Sequence, residues 1–404
     1  MSQLRRIAGR PELIFTFLMI FLTDISIGIY RTTFSLFADS LGASLAMIGV
    51  LGGVEGAVRI LVSMPIGALS DRIDRRKVVA GGLLTFALCY GLTGLVKNPV
   101  LLYPIRCLTG IAVASTFYVG VAFISDIADE RDQGLSIGIY TTCMGLGFAV
   151  GSGLGGRLAA DVGFGAGFFT AAGVVLLSFS LITWGPGRQS AQPRPAGRGS
   201  RGAPLGPQLG SLLKNPVILA ACLGHLSISM SNEGAVFGFF PLYAASLGIG
   251  KATIGGMFSA RMVASAATRL PTGAFSRGGV SRKLMIMALL IGTTSELGLA
   301  LSSSALPLTV LLAGEGVAFG MYFASGSAAI AQNTNEANRG AATGLFTTMG
   351  SLGSTLGPVG LGQAADHLGL SSVFLITSGA LFLGLAVNLI LGARVQRNGH
   401  AIKA

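Results

Sequence analysis

The chain has 404 residues, 51% of them hydrophobic and only 11% charged, where an ordinary soluble domain carries roughly 25% charge. A water-soluble globule cannot hide that much apolar surface, whereas a bilayer accepts helices of roughly 20 apolar residues without covering them. The net charge of +12 would suit a nucleic-acid partner only if it formed one patch, and it does not.

Apolar runs bounded by Gly, Pro and charge predict twelve membrane spans: 12–37, 45–68, 76–97, 100–123, 132–156 and 164–184, then 215–244, 252–274, 281–303, 307–332, 339–362 and 371–393. The first run is long enough to span and lacks a small-residue cleavage site, so it is expected to be the first helix, not a signal peptide. Between the sixth and seventh spans, Gly185 to Ser211 is dense in Pro, Gly, Arg and Ser. Such a composition cannot bury a core and is expected to be a flexible tether. The expected organisation is a six-helix bundle over 1–184, a linker over 185–214 and a second six-helix bundle over 215–404.

Basic residues alternate from loop to loop. One set holds Arg5, Arg6 and Arg10, the Arg72–Lys77 cluster, Arg131, the linker arginines, Arg277, Arg282, Lys283, Arg339 and the C-terminal cations; the other holds Lys97, Arg157 and Lys251. Excess Lys and Arg mark cytoplasmic loops, so both termini and the linker are expected in the cytoplasm, with the chain in a plasma membrane, a bacterial inner membrane in particular. Cys89, Cys107, Cys143 and Cys222 lie in apolar runs without CxxC spacing and read as packing residues.

An internal repeat runs through the chain at an offset of 206 residues. Leu36-Phe37-Ala38-Asp39-Ser40-Leu41-Gly42 returns as Leu242-Tyr243-Ala244-Ala245-Ser246-Leu247-Gly248; Pro65 and Gly67 pair with Pro271 and Gly273, and Glu130 with Glu336. Duplication inside a hydrophobic chain points to transport, with substrate bound between two similar bundles.

After the second span the chain reads Gly67-Ala68-Leu69-Ser70-Asp71-Arg72-Ile73-Asp74-Arg75-Arg76-Lys77. Its glycine, Asp-Arg pair, closing basic run and position resemble the signature loop of the major facilitator superfamily, with Asp74 where the second glycine would stand. The second half keeps Gly273, Arg282 and Lys283 but has Arg277 in place of the acid. The fourth span, with Arg106 followed by Thr109 and Gly110, is similar to the family's fourth-helix motif. The fifth span spaces Gly138, Gly147, Gly151, Gly155 and Gly156 like the motif of its proton-coupled exporters, with Ser152 for the usual proline; the eleventh repeats the frame with Gly344, Gly353, Gly357, Pro358 and Gly362. Gly151–Gly156 also satisfies GxGxxG and Gly134–Gly138 satisfies GxSxG, but neither follows a strand, so no enzyme is inferred.

The resemblance implies an all-helical fold of two pseudo-symmetric six-helix bundles, in which spans one, four, seven and ten line a cavity. That selects Asp24, Arg31, Arg106, Glu233, Asn232 and Glu315 for substrate and protons. It assigns Gly67, Asp71, Arg72, Arg75 and Arg76 to a conformational latch, and Gly147, Gly151, Gly155, Gly156, Gly357 and Pro358 to a helix-packing hinge. Intramembrane charges are costly unless paired or wet, and a carboxylate's proton occupancy changes as its surroundings change. Asp24 or Glu233 is therefore expected to carry the coupling proton and to compete with substrate near Arg106. Glu55 and Arg59, four apart, read as an intrahelical pair, Glu296 as structural and His225 as packed. The expected function is proton-coupled efflux of small amphipathic or drug-like compounds by a monomer, with substrate, protons and lipid as partners and neither cofactor nor nucleic acid. Uptake of an organic anion or metabolite, and a transport-inactive receptor or scaffold, are the alternatives.

Overall fold

The computed structural model describes residues 6–129, 131–185, 210, 212–276 and 279–401; the linker expectation and Arg277 fall largely or wholly outside them. Among the described residues twelve long helical segments follow one another: α1 (Pro11–Ser40), α2 (Leu45–Arg72), α3 (Arg75–Leu95), α4 (Pro99–Ile127), α5 (Gln133–Asp161), α6 (Phe164–Trp184), α7 (216–246), α8 (Lys251–Phe275), α9 (Val280–Leu301), α10 (Ala305–Gln332), α11 (Glu336–Leu368) and α12 (Leu370–Ala401). No strand occurs among the described residues. Nine of the segments are long and apolar enough to cross a membrane by length and composition alone. The remaining three, α7, α8 and α11, are interrupted or diluted by polar residues. Leu61, Met64, Leu306 and Leu383 stand exposed, as side chains do when lipid is their solvent.

Local chemistry sets the helix starts. Asp74 accepts from the Arg76 amide at 2.9 Å, and Asn98 from Val100 at 3.0 Å. Asn215 accepts from Val217 at 3.0 Å, with Pro216 in the first turn, where its missing N–H costs nothing. Two spans read as uniform from the sequence are not: α4 passes through a π-helical turn at Ala114–Tyr118 and α7 through one at Ser231–Phe239. Such turns leave backbone groups outside the regular ladder and concentrate at functional positions.

The 206-residue repeat reappears in the backbone. Gly42 and Gly248 adopt φ of 84° and 81°, and Gly163 and Gly369 adopt 114° and 84°, values that a side chain would strain. Packing repeats as well, α1 on α5 and α3 on α6 in the first set, α7 on α11 and α9 on α12 in the second.

The chain separates into two compact units. The first comprises Met1–Ser44, Val54–Gly197 and Gly248–Val263, and the second Leu45–Gly53, Arg198–Leu247 and Ala264–Ala404. Each unit thus includes the opening turns of a helix from the other sequence half. Inside the first, a Cβ on Gly156 would stand 2.8 Å from the Cα of Gly255; inside the second, one on Gly362 would stand 3.0 Å from the Cα of Gly49. The two contacts are copies at the same offset, and both rest on glycine's missing side chain.

The second unit adds a charged cap. The Asp366 carboxylate accepts from the amides of Leu45 and Ala46, both at 3.0 Å, closing the open N-terminus of α2. Losing a helix cap costs about 1 kcal/mol, so Asp366→Ala is expected to speed hydrogen exchange at Leu45 and Ala46 several-fold. Unchanged exchange there would refute the cap.

Candidate functional site

In the first unit Arg106, on α4, is buried and ion-pairs with Glu55 of α2. Both side chains are nearly closed to solvent, at 8% and 10% exposure. The Arg106 guanidinium also lies 4.4 Å from the centre of the Phe34 ring on α1, and Thr109 donates to Glu55 at 3.5 Å and to the Arg106 carbonyl at 2.9 Å. Gly110 lets α4 approach closely, since a Cβ there would stand 2.8 Å from the Glu55 carbonyl oxygen. Beside the pair, Tyr30 stacks on Tyr90 at 4.2 Å and meets Phe34 and Phe168 at 5.3 and 5.4 Å.

Asp24 is buried at the α1–α5 contact. A Cβ on Gly147 would stand 3.1 Å from its Cβ, and Tyr140 and Cys143 of α5 lie within its electrostatic reach. Arg31, two turns further along α1, is half-buried. The glycine frame of α5 forms this contact: Gly147, Gly151 and Gly155 lie against the backbone of Phe21, Ile25 and Ile29 respectively. Thr32 donates to Ser152, the residue in the place of the usual proline, at 3.1 Å.

In the second unit the π-helical turn of α7 carries Asn232 and Glu233, with Asn232 Nδ2 donating to Glu233 Oε1 at 2.9 Å. Glu296 of α9 is fully buried and accepts from Ser231 of the same turn and from Thr377 of α12, the latter at 3.1 Å. Glu315 of α10 is fully buried. Gly357 lies against Met230, and Pro358 lies beside Gly49, Gly52 and Gly234. His225 is packed, stacked on Phe346 at 4.0 Å with Nδ1 2.8 Å from that residue's carbonyl.

The latch residues lie at one end of the first unit. Asp71 pairs with Arg75 at 3.0 Å, and Arg75 also reaches Asp126 at 3.3 Å. Arg76 donates to the carbonyls of Ile182 and Gly185, while Arg72 is exposed and Gly67 has open space around it. Beside them Arg10 pairs with Asp129, and Arg6 grips Asp132 through two bonds of 3.0 and 2.8 Å. Arg6 and Arg10 stand in the sequence only as topology signals, and no local pattern announces the pairing of Asp126, Asp129 and Asp132. Helical spacing likewise sets Glu55 aside as a partner for Arg59; the structure brings Glu55 to Arg106.

The hydrogen bonds from Arg6, aided by its charge, hold the Asp132 carboxyl below the usual aspartate range. A carboxyl lowered on folding contributes stability above its unfolded pKa, about 3.9, and loses it as pH falls through the lower folded value. A spin label at position 8 is therefore expected to become mobile only below about pH 4, and to be mobile at neutral pH in Asp132→Asn. Equal mobility of wild type and variant at neutral pH would contradict the pairing.

The model of the Major Facilitator Superfamily matches residues 16–250 and 226–403. The chain belongs to the Major Facilitator Superfamily. It is a multi-pass membrane transporter and not an enzyme. It is 25% identical over 393 residues to an uncharacterized MFS-type transporter of Methanocaldococcus jannaschii, covering 93% of this chain and 96% of that one. It is 35% identical over 136 residues to the class C tetracycline resistance protein of Escherichia coli, a third of each chain (33% of both). A bacterial homolog of the human lysosomal transporter Spinster, solved inward-facing and occupied, superposes with a TM-score of 0.76 at 15% identity, covering 94% of this chain and 96% of that one. At that identity the likeness shows the fold alone.

Proposed function

We propose that this superfamily member is a proton-coupled exporter of small hydrophobic or amphipathic compounds, working as a monomer by alternating access. The observation that carries the reading is the buried Glu55–Arg106 pair between Phe34 and the Tyr30–Tyr90 stack. A membrane helix keeps such charges only where a function or a partner needs them. Asp24 in the first unit and Glu233 and Glu315 in the second supply further carboxylates, so each sequence half brings a titratable group to the same task. Asp24 or Glu233 takes up the proton from outside and releases it inward, while substrate draws on Arg106, Arg31 and Asn232. Asp71, Arg72, Arg75 and Arg76, with Gly67, act as the latch. The glycines of α5 and α11, with Pro358, form the surface on which helices pivot. Both termini face the cytoplasm of a bacterial inner membrane. The resistance for which the E. coli relative is named supports export over uptake.

Accumulation of a lipophilic dye in cells with and without the protein tests the direction. Lower accumulation with the protein is expected; higher accumulation would favour uptake. The neutral variant of whichever acid carries the proton, Asp24→Asn or Glu233→Gln, is expected to reduce proton-driven transport at least tenfold, an order-of-magnitude figure for losing one proton carrier. Full transport in both variants would end the assignment.

A further inference from the structure

The 206-residue repeat exposes a difference between the ends of the two units that carry the basic loops. Arg76 donates to the Ile182 carbonyl in the first unit, and its copy Arg282 donates to the Asn388 carbonyl at 3.2 Å in the second. The helix-holding arginine is therefore kept. The ion pairs are not: Asp126, Asp129 and Asp132 of the first half, paired with Arg75, Arg10 and Arg6, become Gln332, Asn335 and Asn338 at the same offset, and those three arginines become Ser281, Pro216 and Leu212. Among the described residues no carboxylate lies within ion-pair distance of Arg282 or Lys283.

These two cations border a cleft of about 670 Å³ between the start of α9, the first turn of α7 and the end of α10. Its walls include the apolar side chains of Val217, Val280, Ile286 and Ala329. Arg282 is half-buried and also lines a smaller gap toward α12. Gln332 closes the floor, bonded to Ser281 at 3.2 Å and to the Ser276 carbonyl at 2.7 Å. Further along α9, one and two turns beyond Lys283, Met287 and Leu290 are exposed, an apolar helix face suited to acyl chains.

Arg282 is partly desolvated while Lys283 is exposed; a partly desolvated cation without a counter-charge is costly, and an external anion relieves that cost. We propose that this cleft binds an anionic phospholipid, its phosphate between Arg282 and Lys283 and an acyl chain along the apolar wall toward Met287 and Leu290. The apolar walls favour a lipid over free phosphate, and the basic-loop asymmetry puts the cleft at the headgroup level of the cytoplasmic leaflet, where anionic lipids meet basic pockets. The site lies outside the transport reading and stands or falls separately from it.

Native mass spectrometry of the delipidated full chain with phosphatidylglycerol, phosphatidylcholine or glycerol 3-phosphate tests the proposal. Phosphatidylglycerol is expected to be retained over phosphatidylcholine, and Lys283→Gln to weaken that preference about fivefold, the effect of about 1 kcal/mol per basic residue. Gln332→Asp restores the acid of the first half without removing a cation, and is expected to weaken the preference similarly while the protein stays folded and monodisperse. Equal retention of the two lipids, or an undiminished preference in both variants, would overturn the proposal. Displacement of the lipid by glycerol 3-phosphate alone would overturn it in favour of a small-anion site.

Discussion

Glu55→Ala is expected to destabilise the protein by roughly 3–5 kcal/mol, the cost of breaking a buried ion pair from one side, and to abolish transport. The Arg106–Glu55 pair is nearly closed to solvent, and the Phe34 ring lies over the guanidinium, so water cannot replace the lost carboxylate. Glu55→Gln keeps the shape and removes the charge, and it should fall between wild type and Glu55→Ala. The double variant Glu55→Gln, Arg106→Gln removes both charges together and is expected to unfold at a higher temperature than either single variant, yet remain inactive. Thermal unfolding in detergent beside vesicle transport measures both effects. A Glu55→Ala protein with unchanged unfolding temperature and full transport would show that the pair holds nothing.

The second large effect concerns the glycines of α5 and is one of sign. Alanine is favoured over glycine in a helix by about 1 kcal/mol where space exists. Gly134 and Gly138 have open space, so alanine there is expected to leave the protein as stable or slightly more so. Gly151 and Gly155 face the Ile25 and Ile29 backbone, where a Cβ would collide with the carbonyl of Ile25 or stand 2.7 Å from the Cα of Ile29. Overpacking costs about 1–3 kcal/mol, and backbone cannot yield as a side chain can. The second half makes the same contrast, with Gly344 open and Gly353 against the Leu226 carbonyl. Unfolding temperatures of the alanine series decide it: uniform changes across open and packed positions would refute the contact role of the frame.

The twelve helices were legible because membrane burial is written as length and apolarity, which a single chain displays without its partners. The repeat was legible for a related reason. Gly42 and Gly248, or Gly163 and Gly369, preserve a backbone angle that only glycine adopts freely, so the residue type records the geometry. The candidate site was less readable. Glu55 stands four residues from Arg59, and helical spacing offers that neighbour at once, while its partner Arg106 lies on another helix. The π-helical turn that brings Ser231 to Glu296 has no local signature, and it lies where α7 packs against α11 and α12. The aspartates at 126, 129 and 132 look like ordinary loop charges until the arginines of the N-terminal segment and the α2–α3 loop are seen to meet them.

Together these features leave ionisable side chains inside helices that lipid surrounds, and their use as proton carriers is the centre of the proposed mechanism. Buried charge alone would serve a structural role equally well, so coupling has to be measured as a flux. Purified protein reconstituted into proteoliposomes with an internal pH dye, acidified inside and then given an amphipathic substrate outside, provides that measurement directly. The account predicts a substrate-evoked loss of internal protons that is abolished in Glu55→Gln and in the neutral variant of the proton carrier, Asp24→Asn or Glu233→Gln. Substrate movement at full rate with no change in internal pH, and with no response to collapsing the gradient, would contradict it.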